Sequence, residues 1–171
     1  LERLGEEADD HHVVIEPLKT IYFGGGTPSY PSPEMIASII AHAKSLFRLS
    51  DCCDITLEAN PESIAGDLTS GKSDRGRETA HRWVEAGINR VSFGMQSATD
   101  SILRLAGRRH TCAQAVEAVR IAADVGFRDI SVDLMTGLPS QTVEDIEYAL
   151  LTIDQLPVNH VSSYALSVEE G

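Results

Sequence analysis

Aromatic residues make up only 5% of this 171-residue chain, basic residues are outnumbered, and there are three cysteines. Each scarcity removes a class of function. With 14 Lys and Arg against 26 Asp and Glu, the formal net charge is −12, so a broad phosphate-tracking surface is not expected and nucleic acid is not the expected partner. Cys52, Cys53 and Cys112 give no even disulfide framework, and the adjacent pair is poorly spaced for a disulfide or a chelate, which points to a reducing compartment. No apolar run approaches the length of a membrane span, and Leu1 to Asp10 is acidic, unlike a secretory signal. The histidines His11, His12, His42, His81, His110 and His160 show no metal-ligand spacing. No Ser/His/Asp order or paired-carboxylate spacing supports hydrolysis. The one tryptophan, Trp83, falls in a helical stretch and is assigned to the core.

What is present is a repeating alternation, with 42% hydrophobic residues to build a core. A β-branched and aromatic strand, Thr20 to Phe23, runs into Gly24-Gly25-Gly26. Ser32 and Pro33 open a helix reaching Phe47. Further strands are expected at Asp54 to Ala59, Ile88 to Met95, Asp129 to Met135 and His160 to Leu166. Helices are expected between them at Glu78 to Glu85, Ser101 to Leu105, Ala113 to Val125 and Val143 to Leu156, with Gly87 and Gly126 as stops. Such alternation predicts parallel βαβ units, either a closed barrel or a doubly wound sheet. Gly66 to Arg77 lacks periodicity and is expected to be a surface loop insertion.

Polar residues collect at the C-terminal ends of these strands: Gly24 to Thr27, Glu58, Gln96 and Asp133. In parallel α/β folds that edge carries the ligand, so the four strand ends are expected to form one site. The glycine run suits either a tight βα turn or a cradle of N–H groups for a ligand. Glu58 in an apolar strand needs a partner, either an arginine or a ligand hydroxyl or amino group. Arg108-Arg109-His110 reads alone as a solvated basic corner, though arginine also suits capture of a carboxylate.

The strings TIYFGGGTPS, ITLEANPES, GINRVSFGMQS, LAGRRHT, DLMTGLPSQT and HVSSYALSVEEG, in this order, resemble the radical SAM domain of the HemN/HemW family over nearly the whole chain, residues 1–171. The LEANP, GMQS, GRRHT and YALSVEEG forms are more similar to the HemW branch, haem chaperones, than to the oxygen-independent coproporphyrinogen oxidase branch. The resemblance implies an α/β fold, a partial TIM-like (β/α)6 barrel, here with five parallel strands and the first strand missing. It implies S-adenosylmethionine as cofactor, with Gly25, Gly26 and Thr27 at its methionine moiety and Glu58, Gln96, Arg108 and Asp133 lining its pocket or the adjoining small-molecule site. It also implies a 4Fe–4S cluster, haem or a porphyrin as ligand, haem-acceptor proteins as partners, and a cytoplasmic location or an organelle matrix. The cluster-binding C-x-x-x-C-x-x-C motif does not occur in this chain. The first strand with its cysteine loop is therefore expected upstream of residue 1, and a further domain beyond Gly171. Residues 1–171 alone are expected to be inactive, and an unpaired strand edge is expected to invite self-association, including a homodimer.

Overall fold

The computed structural model describes residues 16–66 and 73–167. Its elements, in chain order, are β1 (Leu18–Phe23), α1 (Pro33–Leu46), β2 (Leu49–Ala59), α2 (Glu62–Ala65), α3 (Ser73–Glu85), β3 (Arg90–Gln96), α4 (Asp100–Leu105), α5 (Cys112–Val125), β4 (Asp129–Thr136), α6 (Val143–Asp154) and β5 (His160–Ala165). The five strands lie in the order β1-β2-β3-β4-β5, every neighbouring pair parallel. A doubly wound sheet would reverse its order at a switch point. Here the order never reverses, and crossovers of one hand then place the helices on one face of the sheet. The result is a curled half-barrel, and this settles the choice that periodicity left open.

Strand alternation sorts residues between the two faces. Ile55, Leu57 and Ala59 of β2, Val91, Phe93 and Met95 of β3, and Ile130, Val132 and Leu134 of β4 join one buried cluster with Ile36 and Ile40 of α1, Trp83 of α3, and Val119 and Ala122 of α5. The alternate positions Thr56, Ser92 and Ser131 are buried yet polar, and they mark the opposite, concave face. Trp83 is fully buried, as its helical context suggested. Burying a side chain of that size contributes roughly 1.5–3 kcal/mol.

Helix ends follow the capping residues. Ser32 Oγ accepts from Met35 N at 3.3 Å at the start of α1. Thr111 and Gln114 form a capping box at α5, and Thr142 and Asp145 another at α6. At the N-terminal ends of the strands one device occurs twice. Asn89 N donates to Ile55 O and Asn89 Oδ1 accepts from Ile55 N, at 3.1 and 2.9 Å. Asn159 treats Ile130 in the same way, at 3.0 and 3.0 Å. Each asparagine thus supplies a complete ladder pair just before its own strand begins.

The structure corrects the loop expected over residues 66–77. Residues 73–77 belong to α3, which begins at Ser73, while residues 67–72 lie outside the described residues. Gly76 explains why a helix was not expected there. A β-carbon on Gly76 would stand 1.6 Å from the Ile64 carbonyl oxygen, so the glycine that looks like a loop residue is where α3 meets the backbone of α2. Strand β2 also begins five residues before the expected position, at Leu49, because SDCC carries little strand character.

Candidate functional site

The concave face opens at the C-terminal ends of the strands into a cleft of about 320 Å³. Gly26, Thr27, Glu58, Gln96, Arg108 and Asp133 all line it. The structure therefore gathers six of the seven residues singled out from the sequence around one space. Gly25, the seventh, stands behind them, its N–H directed at Glu58. Asn60, Ser92 and Tyr164 complete the walls and were not singled out. Ser92 and Tyr164 have the alternation of the concave face, the one signal that could have found them.

Glu58 has no arginine partner among the described residues; its carboxylate is held by Tyr22 and Gly25. Its Oε1 accepts from the Tyr22 hydroxyl at 2.5 Å, and its Oε2 accepts from Gly25 N at 3.1 Å. The glycine turn is thus tied to β2 at Gly25 through a carboxylate, while Gly26 and Thr27 line the cleft. Burial, then the Glu58 hydrogen bond, holds the Tyr22 phenol above its ordinary pKa. Tyr22 was overlooked because a tyrosine in a strand reads first as strand propensity.

Gln96 is set by a break in the ladder. Phe93 pairs with Val132 and Gln96 with Leu134, so β3 carries one residue more than β4 across this interval. That bulge, with Gln96 at φ +65°, aims the last side chain of the strand into the cleft. Its amide folds back over Gly94, where a β-carbon would stand 2.9 Å from Nε2. Asp133 accepts from Ser92 Oγ at 3.1 Å. Burial pushes the Asp133 carboxyl up; the Ser92 and Ser162 hydroxyls oppose the shift, and the charge of Glu58 adds to it. Arg108 is held by the end of α4: Arg108 N donates to Leu103 O at 2.9 Å and Gly107 N to Arg104 O at 3.1 Å, a Schellman stop. The basic-corner reading of Arg108 is corrected by its place in the cleft wall.

The cleft therefore brings two carboxylates, a guanidinium, an amide and hydroxyls to a single opening. That set suits a zwitterionic ligand with hydroxyl groups, such as S-adenosylmethionine, whose cationic, anionic and diol portions each find a complementary group here. An iron–sulfur cluster does not fit the described residues. No cysteine lines the cleft, and no group of three or more metal-ligating side chains occurs among the described residues. Cys52 and Cys53 lie in the first half of β2, before Glu58, and Cys112 opens α5. Burial, chiefly, raises the Cys53 and Cys112 thiols above their ordinary pKa, which favours the neutral form over the thiolate a metal needs.

Residues 1–153 match the family model of the radical SAM superfamily. The heme chaperone HemW of Haemophilus influenzae is 38% identical over 152 residues, which cover 89% of this chain and 37% of that protein. The cattle protein named radical S-adenosyl methionine domain-containing protein 1, mitochondrial, is 34% identical, covering 92% of this chain and 33% of its own length. This chain thus spans little more than a third of the relatives it matches. Among solved structures, coproporphyrinogen III oxidase (HemN) from Escherichia coli superposes with a TM-score of 0.75 at 22% identity, over 97% of this chain and 36% of that one, a likeness of fold. Sequential parallel strands, a polar cleft at their C-terminal ends and the family match agree: the chain belongs to the radical SAM superfamily.

Proposed function

We propose that this chain is the cofactor-binding part of a haem-binding protein of the HemW type, which holds S-adenosylmethionine in the cleft and hands haem to acceptor proteins. The observation that carries the reading is the convergence of Glu58, Gln96, Arg108 and Asp133 on one cleft in a chain whose relatives include heme chaperones. In this reading Gly25, Gly26 and Thr27 border the methionine end of the ligand and Arg108 takes its carboxylate. Glu58 and Asp133 accept from its ammonium and hydroxyl groups, and Gln96 bounds the pocket. S-adenosylmethionine bound beside a reduced 4Fe–4S cluster supplies radical chemistry. Residues 1–171 alone are proposed to bind without reacting, since the cluster motif is not among them.

No helix among the described residues is long and apolar enough to cross a membrane. The proposed setting is a reducing compartment, the bacterial cytoplasm or an organelle matrix, in keeping with free Cys52, Cys53 and Cys112. The test is anaerobic cluster reconstitution of the full-length protein, followed by optical titration with S-adenosylmethionine and then with haem. The expected result is a cluster absorbance that responds to S-adenosylmethionine, lost in Arg108→Gln and Asp133→Asn, and a stoichiometric Soret band with haem. No response to S-adenosylmethionine would remove the cleft assignment; no Soret band would remove the haem assignment alone.

The likeness to the HemN fold supports a second reading, oxygen-independent oxidation of coproporphyrinogen III. It expects anaerobic protoporphyrinogen formation by the loaded full-length protein, whereas the chaperone reading expects cofactor and haem binding without that product.

A further inference from the structure

Gln96 reaches the cleft on a strained turn. The Ser97 N–H donates to the Met95 carbonyl at 2.8 Å, across one residue, which closes a γ-turn round Gln96 at φ +65°. A γ-turn of that hand is the rare, strained form, and strained backbone persists only where its surroundings over-determine it. A second bond to the same oxygen supplies that restraint. His110 Nε2 lies 3.2 Å from the Met95 carbonyl oxygen, and because a carbonyl only accepts, Nε2 carries a proton. His110 is 3% exposed, so water does not compete for the bond.

The other ring nitrogen decides the charge. Nδ1 faces Glu62 Oε2 at 3.4 Å, and that oxygen is buried with no hydrogen-bond partner among the described residues. In a neutral ring protonated at Nε2, the Nδ1 lone pair would oppose the carboxylate oxygen, two buried acceptors face to face. A second proton between them removes the conflict and leaves an imidazolium beside a carboxylate. In keeping with this, the His110 contact first, and a backbone hydrogen bond and the Arg108 charge after it, hold the Glu62 carboxyl below the ordinary range against burial. The other titratable groups round this space are Arg108, Arg109 and Tyr30, so no second carboxylate competes for the ring. Glu62 follows Asn60 by two residues and His110 follows Arg108 by two, and Asn60 and Arg108 both line the cleft. The pair thus joins three of its walls: the end of β3, the start of α2 and the loop between α4 and α5.

We propose that His110, kept as an imidazolium by Glu62, is a positioning residue of the cleft: it locks the γ-turn that aims Gln96 and ties that turn to the walls carrying Asn60 and Arg108. Neither His110 nor Glu62 lines the cleft, so both act through their neighbours. The effect on S-adenosylmethionine rests on the proposed function; the lock itself does not. The test uses the full-length protein with 15N-labelled histidine, its Glu62→Gln and His110→Phe variants, and three readouts: imidazole nitrogen shifts at pH 7, hydrogen exchange of the peptide carrying Ser97, and titration with S-adenosylmethionine. Glutamine can donate to a neutral Nδ1, so Glu62→Gln is expected to convert one histidine ring from doubly to singly protonated while Ser97 stays protected. His110→Phe is expected to expose Ser97 to exchange and to weaken S-adenosylmethionine by about tenfold, the scale of one charge-assisted hydrogen bond. Glu62→Gln, which keeps the Met95 bond but not its charge, is expected to fall between that variant and the parent. No ring changing its protonation in Glu62→Gln would overturn the proposal, and this holds even if His110→Phe does not fold. Parent-like Ser97 exchange or parent-like affinity in a folded His110→Phe would overturn it as well. A parent that binds no S-adenosylmethionine would remove the cleft assignment, and the lock then stands or falls by the ring protons and the Ser97 exchange.

Discussion

At Asp133 the cleft is built against its own stability. Burial raises this carboxyl, so the folded chain holds a proton more firmly than the unfolded chain does. The sign follows from linkage: stability falls as pH rises from the unfolded pKa, near 3.9, through the raised folded value, and stays lower above it. Asp133→Asn is therefore expected to raise the melting temperature at pH 7 relative to the parent, with the gap closing as pH falls below about 4. Thermal unfolding across that range measures it. A constant gap would mean that packing, not ionisation, sets the difference. An acid retained in a half-buried place at such a cost is the pattern of a binding group.

Residue identity made Glu58, Gln96 and Asp133 legible in the sequence, because each is a polar group inside an otherwise apolar strand. Their partners were not legible. Tyr22 lies 36 residues from Glu58, and Ser92 lies 41 from Asp133; only pairing of the strands brings them together. His110 shows the same limit, since a histidine with no ligand spacing gives no sign that it will be buried between Met95 and Glu62.

Among the elements, α3 gives the sharpest conflict between local and tertiary preference. Alanine is favoured over glycine inside a helix by roughly 0.8–1 kcal/mol, so propensity alone has Gly76→Ala stabilise the chain. The added β-carbon would meet the Ile64 carbonyl at 1.6 Å, and overpacking of that kind costs about 1–3 kcal/mol or more. Packing wins, and Gly76→Ala is expected to destabilise in urea unfolding. The same contest hid the helix: without apolar periodicity across residues 73–77, nothing local distinguished a close-packed glycine from a loop glycine. The strand order β1 to β5 was legible only as alternation, and its unreversed sequence came from the sheet itself.

The two asparagine pairs offer a matched comparison between elements. Asn89 joins β2 to β3 in the middle of the sheet, and its Nδ2 also donates to Cys53 O at 2.9 Å. Asn159 joins β4 to β5, whose residues are largely exposed. Asn89→Ala leaves the Ile55 N–H without its partner inside the core and is expected to cost about 1–3 kcal/mol. Asn159→Ala is expected to cost less, because water replaces the lost partner near an exposed strand. Urea unfolding of both variants, with unchanged dependence on denaturant, measures the difference.

Across the whole molecule, β1 and β5 each have a neighbour on one side only among the described residues. Val161 and Tyr164 of β5 are exposed, as are Leu150 and Leu151 of the preceding helix. Such an edge offers backbone donors and acceptors to another chain. Residues 1–171 are expected to associate with increasing concentration in sedimentation velocity, and Val161→Lys to suppress that association.

Sequential strand order has one more consequence. Each strand pairs with those made just before and just after it, so the sheet can come apart from either margin without disturbing its centre. Amides of Leu57, Val91 and Val132, fully buried in the three inner strands, are expected to exchange with deuterium only through global opening. Those of β1 and β5 should exchange through local fraying, orders of magnitude sooner. Because Tyr22, the anchor of Glu58, belongs to β1, one wall of the cleft then belongs to the margin that opens most often, and occupancy of the cleft should register first as slowed exchange there.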